Sequence, residues 1–257
     1  MAYTNHSQLE TRHLIIPDWP AAAGVRAVCT TRAGGVSQAP YESLNLGDHV
    51  GDAASAVAEN RARLRRVLRL PAEPCWLQQV HGTAAVDAAA LARPCQADAA
   101  YAAQPGVVCA VLTADCLPLL LCDRAGTQVA AVHAGWRGLA NGVIERTLEG
   151  FAATGSEIMA WLGPAIGPRA FEVGDEVRAA FITHDAAAAV AFKAARAGHW
   201  YADLYTLARQ RLAARAVSAV YGGDCCTYTD AARFYSYRRD GSTGRMASLI
   251  WLETSPL

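Results

Sequence analysis

Two histidines and one cysteine attract attention because each sits at the end of, or between, short apolar runs beside a turn. They are His81 before Gly82, Cys116 at the end of Thr113-Ala114-Asp115-Cys116, and His133 before Ala134-Gly135. Two imidazoles and a thiolate are a ligand set of catalytic zinc, which keeps a fourth position open for water or substrate. The same donors suit copper, so residue types alone leave the metal undecided. A metal or an adjacent histidine also lowers a thiol pKa, which makes Cys116 a candidate nucleophile with His133 as its base. Against this, a single Cys or His beside a buried strand is usually a core or loop residue. The three are far apart in sequence, and no H-E-x-x-H or C-x-x-C pattern is present. Arg137 lies in His133-Ala-Gly-Trp-Arg-Gly138, which leads into a helix, and Arg32 lies on the glycine-rich turn Thr30–Ser37. Both are candidate contacts for an anion, phosphate especially. Asp115 could move a proton, orient a ligand histidine, or cap a turn.

These residues need strands and turns to bring them together. His13–Ile16 and Val25–Thr30 are predicted to form a first strand pair. Asp52 is placed to cap a helix over Ala53–Leu70, whose five arginines read as a solvated face. Strands are predicted over Cys75–Val80, Val107–Leu112, Leu117–Cys122, Gln128–Val132 and Ile158–Leu162. Apolar residues at helical spacing predict helices over Gly138–Phe151, Asp175–Phe181 and Leu204–Ala216. Two last strands fit Phe234–Tyr237 and Ala247–Trp251. Strands and helices mixed without regular alternation favour an α+β layered fold over a doubly wound one.

Composition narrows the function classes. Lys plus Arg equals Asp plus Glu at 23 each, and this zero net charge weighs against a nucleic-acid or anionic-membrane partner. With 53% hydrophobic residues there is ample material for one large core, so a single domain over 1–257 is expected. The stretch Gly106–Cys122 is interrupted by Asp115 and Pro118, and so reads as two buried strands rather than a membrane span. The polar N-terminus carries no secretory signal pattern, which predicts a cytoplasmic protein with its eight cysteines reduced.

Taken together, the motifs resemble the YfiH family, also called the laccase-domain or polyphenol-oxidase-like family and later described as purine nucleoside phosphorylases. The matching blocks are TTRAGGVS (Thr30–Ser37), SLNLG (Ser43–Gly47), HVGD (His49–Asp52), QQVHG (Gln78–Gly82) and ADA around Asp98. They continue with TADCLP (Thr113–Pro118), HAGWRG (His133–Gly138), GPAIGP (Gly163–Pro168), FEVG (Phe171–Gly174), FYSYRRDG (Phe234–Gly241) and TGR (Thr243–Arg245). They occur in order from about Val25 to Ile250. The resemblance implies a zinc site at His81, Cys116 and His133, and a layered α/β fold with mixed sheets similar to the catalytic domain of cytotoxic necrotizing factor. It implies phosphorolysis of adenosine, inosine and methylthioadenosine, with adenosine deaminase activity in addition. Cys116 and Asp115 are then the expected catalytic residues, and Arg32, Asn45 and Arg137 the expected contacts to substrate or phosphate. The partners would be small molecules, and the protein a monomer or homodimer. Two other chemistries remain: a Cys116 hydrolase editing peptidoglycan precursors, and a copper polyphenol oxidase, for which seven histidines are a thin supply.

Overall fold

A computed structural model of the chain describes residues 9–91 and 95–254, so the polar segment 1–8 lies outside the described residues. The strands in chain order are β1 (Leu14–Ile15), β2 (Val25–Thr30), β3 (Ala85–Asp87), β4 (Ala99–Ala102), β5 (Val108–Thr113), β6 (Leu117–Asp123) and β7 (Val129–Ala134). Then follow β8 (Ile158–Leu162), β9 (Glu172–Gly174), β10 (Phe192–Ala194), β11 (His199–Ala202), β12 (Ala219–Gly222) and β13 (Met246–Leu252). The helices are α1 (Ala54–Leu68), α2 (Trp136–Asn141), α3 (Val143–Leu148), α4 (Asp175–His184), α5 (Leu204–Ala214) and α6 (Tyr237–Asp240).

β5, β6, β7, β8 and β13 are apolar at nearly every position and buried along their whole length, so both faces of each must be covered. The fold meets this with two large sheets packed face to face. One is four-stranded and antiparallel, in the order β1-β2-β13-β5. The other is six-stranded and mixed, in the order β12-β8-β6-β7-β4-β3, with parallel pairs at both edges. Cys29, Val111 and Ile250 of the first sheet meet Leu120, Ala131 and Met159 of the second in the central layer. The outer face of the six-stranded sheet buries Leu119, Leu121, Val132 and Ala160 against α2 to α5. The outer face of the four-stranded sheet buries Val28, Ala110 and Leu249 against Leu64 of α1. The expected layered α+β arrangement with mixed sheets is therefore present, with two central sheets between helical layers. β9, β10 and β11 form a separate small antiparallel sheet.

Several local expectations are corrected. Cys75–Val80 is no strand: it makes only isolated bridges, Cys75 to Cys109 and Gln78 to Gln96. Gln79 replaces a backbone ladder with its side chain, which both donates to and accepts from the Leu112 backbone at 2.8 and 2.7 Å. Asp52 does not cap α1, whose N-cap is Ala53; its carboxylate instead accepts from Ser37 and Asn45. Of the α1 arginines, Arg65, Arg66 and Arg69 are exposed, whereas Arg61 stacks 4.4 Å from the Trp76 ring and bonds the Leu46 carbonyl. The helix expected from Gly138 starts at Trp136 and breaks at Gly142, whose φ of 98° a side chain would resist. Phe234–Tyr237 is no strand either. Phe234 and Tyr235 are buried beside Ala114 and Met246, and α6 begins directly after, capped by the Ser236 hydroxyl. All eight cysteines are free. No helix among the described residues is long and apolar enough to cross a membrane.

Leu120, fully buried between the two large sheets, tests this layering. Leu120→Ala is expected to lower stability by about 2–5 kcal/mol in urea melts, whereas Val190→Ala, at a position 73% exposed, should stay within about 0.5 kcal/mol. Equal, small effects at both positions would contradict a core between the sheets.

Candidate metal centre

Cys116 sits where the chain crosses from one sheet to the other. β5 ends at Thr113, β6 begins at Leu117, and the link Ala114–Cys116 turns through Asp115 at φ 88°. A non-glycine residue resists that backbone region. Here the turn is held from three sides. The Asp115 carboxylate accepts the Thr227 hydroxyl at 2.6 Å and the Arg238 N–H at 2.7 Å, while its carbonyl accepts the Ile166 N–H at 2.9 Å. His133 lies on β7, paired in register with Pro118 of β6, and thus beside Cys116. His81 arrives from the Gln79-braced loop with φ 59°.

Asp98, immediately before β4, joins these elements. Its buried carboxylate accepts the His133 Nδ1–H at 2.7 Å and the backbone N–H groups of Val80, His81 and Gly82 at 3.2, 2.9 and 2.6 Å. Its carbonyl accepts the His133 N–H at 2.7 Å. Burial by itself would raise the Asp98 pKa, but the His133 bond and the backbone donors outweigh it and hold the carboxyl below its usual range. Because Nδ1 faces Asp98, the Nε2 atom of His133 is left as its ligand atom. Asp98, and not Asp115, is thus the carboxylate that orients a histidine of the cluster.

The donor atoms of His81, Cys116 and His133 all lie within 4.8 Å of one another, with Cys116 Sγ 3.9 Å from His81 Nε2. Tetrahedral coordination at ordinary metal–ligand lengths would place such atoms roughly 3.4–3.6 Å apart, so small side-chain movements suffice. Gly135 supplies an independent sign of fit. Its backbone is ordinary extended chain, yet a Cβ there would stand 3.0 Å from Cys116 Sγ and 3.0 Å from His81 Cδ2. Glycine keeps the meeting point of the ligands clear. Nearby, a Cβ on Gly138 would stand 2.7 Å from the Gly82 carbonyl, so α2 packs directly on the His81 loop. Among the described residues this is the one group of three or more such side chains that could hold a metal ion.

Without a metal, burial pushes the Cys116 thiol up, but the His133 charge and hydrogen bonds from His133 and His81 outweigh it and bring it down to about 6. Burial likewise disfavours charged His133, and the Cys116 thiolate and the Asp98 bond reverse this, raising it to about 9. Both shifts favour a thiolate on Cys116 with the proton on His133, and a deprotonated sulfur is the form that a metal requires.

The remaining expected site residues separate. Asn45 is fully buried, and its amide bonds Gly47, Asp52 and the Arg245 N–H, leaving no atom for a ligand. The Arg32 guanidinium donates to the carbonyls of Glu42 and Ala231 and lies 4.9 Å from the Tyr235 ring, knitting two loops. Arg137 is exposed and its guanidinium lies 4.3 Å from the Trp136 ring. Arg239, in the FYSYRRDG block, bonds the carbonyls of Thr227, Tyr228 and Phe234 and is structural.

A cavity of about 140 Å³ opens beside Cys116, walled by Asp115, Trp136, Ile166, Phe171, Tyr237 and Arg238. It shares Trp136, Phe171 and Arg238 with an open groove of about 670 Å³ that also carries Arg137, Arg169, Arg196 and His199. Asp98 and these aromatic walls were not singled out from sequence. A ligand histidine's need for a carboxylate partner is the signal that points toward Asp98.

Residues 26–253 match the family described as multi-copper polyphenol oxidoreductase laccase. A protein of Pseudomonas aeruginosa named purine nucleoside phosphorylase is 59% identical over 240 residues, covering 93% of this chain and 98% of that protein. Purine nucleoside phosphorylase YfiH of Escherichia coli is 57% identical with the same coverage of 93% and 98%. Among solved structures, a Neisseria meningitidis protein, NMB0706, superposes with a TM-score of 0.91 at 52% identity, covering 94% of this chain and 100% of that one. YlmD from Geobacillus stearothermophilus superposes with a TM-score of 0.83 at 32% identity, covering 97% and 99%.

Asp98→Asn keeps the shape but removes the charge behind His133, and is expected to weaken metal binding about 10- to 100-fold in a chelator competition using Co²⁺ as the probe. Gly135→Ala should fold and yet lose the thiolate–cobalt absorption band. Wild-type cobalt affinity in both variants would show that these residues do not shape the centre.

Proposed function

The chain belongs to the multi-copper polyphenol oxidoreductase laccase family, and within it we propose that it is a zinc-dependent purine nucleoside phosphorylase. Adenosine, inosine and methylthioadenosine are the proposed substrates, each giving a free base and a ribose 1-phosphate. The near-full-length relatives named purine nucleoside phosphorylase support a reaction of this type. The observation that carries the reading is the meeting, at Cys116, of the ligand cluster and an aromatic-walled cavity.

The cavity's size fits one part of a nucleoside. An apolar cavity of about 150 Å³ accepts a single aromatic ring such as benzene, so the cavity takes one ring of the purine against Trp136, Phe171 and Tyr237 while the rest of the base extends into the groove that shares its wall. The ribose and the phosphate then project into the adjoining groove, where exposed Arg137 receives the phosphate oxygens. Asp115 acts through position. Both of its oxygens already accept hydrogen bonds, and the bond to the Arg238 N–H fixes the start of α6, which carries Tyr237 on the cavity wall. His81, Cys116 and His133 would hold the zinc, with Asp98 setting the His133 tautomer. When bound, zinc supplies Lewis acidity beside the cavity. Adenosine deaminase activity belongs to the same proposal, since it too acts on a base seated there. A cytoplasmic setting and small-molecule partners complete the reading.

One observation favours a second chemistry. Asp98, His133 and Cys116 form a carboxylate–imidazole–thiolate series, the layout of an activated nucleophile. In that reading the protein is a hydrolase acting on peptidoglycan precursors, and metal inhibits it by occupying the sulfur.

Chelation separates the two. Stripping the metal is expected to abolish phosphate-dependent release of adenine from adenosine, and added zinc to restore it; in the second reading stripping would instead raise hydrolysis of a peptidoglycan precursor and no adenine would be released at any metal content. Arg137→Ala should raise the KM for phosphate about tenfold or more while changing the KM for nucleoside less. An unchanged phosphate dependence would remove Arg137 from that role.

A further inference from the structure

The groove beside the cavity holds more positive charge than one inorganic phosphate needs. Arg137, Arg169, Arg196, Arg238 and His199 line it together with Tyr228. The carboxylates in the same wall are Glu172 and Glu176. Glu172 is committed: its side chain pairs with Arg196 at 2.7 Å, and its carbonyl accepts Arg238 at 2.7 Å. Arg137 and Arg169 have no carboxylate partner among the described residues. In a chain of zero net charge, four arginines facing two glutamates on one groove are a local excess. The groove is also continuous with the base cavity through the shared Trp136, Phe171 and Arg238. A ligand with its base in the cavity therefore directs its sugar toward the cations.

We propose that this groove contains, beside the Arg137 position, a second anion subsite, which takes a phosphate carried by the nucleoside itself, so that purine nucleoside 5′-monophosphates are ligands of the site. The inference rests on the proposed seating of a purine beside Cys116. It assigns Arg169, which lines the same groove as Arg196 and His199, to the 5′-phosphate, and leaves Arg137 to the inorganic phosphate. Arg169 has no part in metal binding or in the cavity wall, so removing it leaves the base and the ligands untouched.

The test is calorimetric titration of the metal-loaded protein with AMP, adenosine and inorganic phosphate, each alone, at low ionic strength. AMP is expected to bind about tenfold more tightly than adenosine, and added salt should erode that advantage. Arg169→Ala should bring AMP to the affinity of adenosine while leaving adenosine and phosphate unchanged. Adenosine and AMP binding equally would overturn the inference and leave the purine seating intact. An AMP advantage that survives Arg169→Ala would place the 5′-phosphate elsewhere and overturn it too. If Arg169→Ala weakens inorganic phosphate instead, the groove serves the co-substrate and no second subsite exists. Failure of both adenosine and AMP to bind would remove the purine seating itself, and the inference with it.

Discussion

A carboxylate with no exposed surface, Asp98, receives four hydrogen bonds at the heart of this protein. Burying an ion costs several kcal/mol unless donors replace the lost water. Here one imidazole and three backbone N–H groups do so. In return the charge fixes three things at once: the loop that carries His81, the tautomer of His133, and the distance between them. The His81 loop has no strand ladder to hold it. Without Asp98 it would retain the Gln79 bracing on Leu112, which fixes its path but not where the imidazole ends up.

The second constraint is geometric. Cys116 belongs to the short link between the two large sheets, and His133 to the strand beside the one that link enters. Sheet packing alone brings sulfur and imidazole together, because moving either would disturb a register locked by buried leucines and valines. The backbone gives way instead. Two of the positive-φ non-glycine residues are His81, in the cluster itself, and Asp115, directly before Cys116, and Gly135 opens space where any Cβ would crowd the cluster. Strain of this kind persists only where its surroundings impose it. At Asp115 the surroundings are visible as bonds to Thr227, Arg238 and Ile166.

These facts explain what could be read from sequence. β5, β6, β7 and β13 announce themselves as apolar runs closed by turns, and the family motifs mark the three members of the His–Cys–His cluster. The Cys75–Val80 segment misleads because it has the composition of a strand, while its backbone makes only isolated bridges and the Gln79 side chain supplies further bonds, which leaves no periodic trace. β9 to β11 are short and partly exposed, so no alternation betrays them. Asp98 is legible only once His133 is known to need a partner, and it stands 35 residues away with no spacing rule to connect them. Arg32 and Asn45 lie in strongly marked motifs, yet their polar atoms face backbone carbonyls and neighbouring side chains. A motif records that a residue type is needed and is silent on whether a ligand or a loop needs it.

The same distinction bears on the chemistry. A family described by copper oxidation here has a member whose described residues offer one cluster of three ligands, two of them imidazoles. Multicopper chemistry needs several centres rich in histidine, so the description and the donor set part company. The cluster itself admits two uses of one sulfur. A thiolate bound to a metal shares its negative charge with the ion and is a weaker nucleophile, so the roles of ligand and nucleophile compete for one sulfur. Gly135 weighs between them. A nucleophile paired with His133 would need room on the side from which substrate approaches, where the cavity already lies. It would have no use for a cleared space bounded by both Cys116 Sγ and the His81 ring. A third ligand does. The glycine therefore fits a cluster that could hold a metal ion, and the lowered thiol pKa suits that use, since a cysteine binds metal as its thiolate.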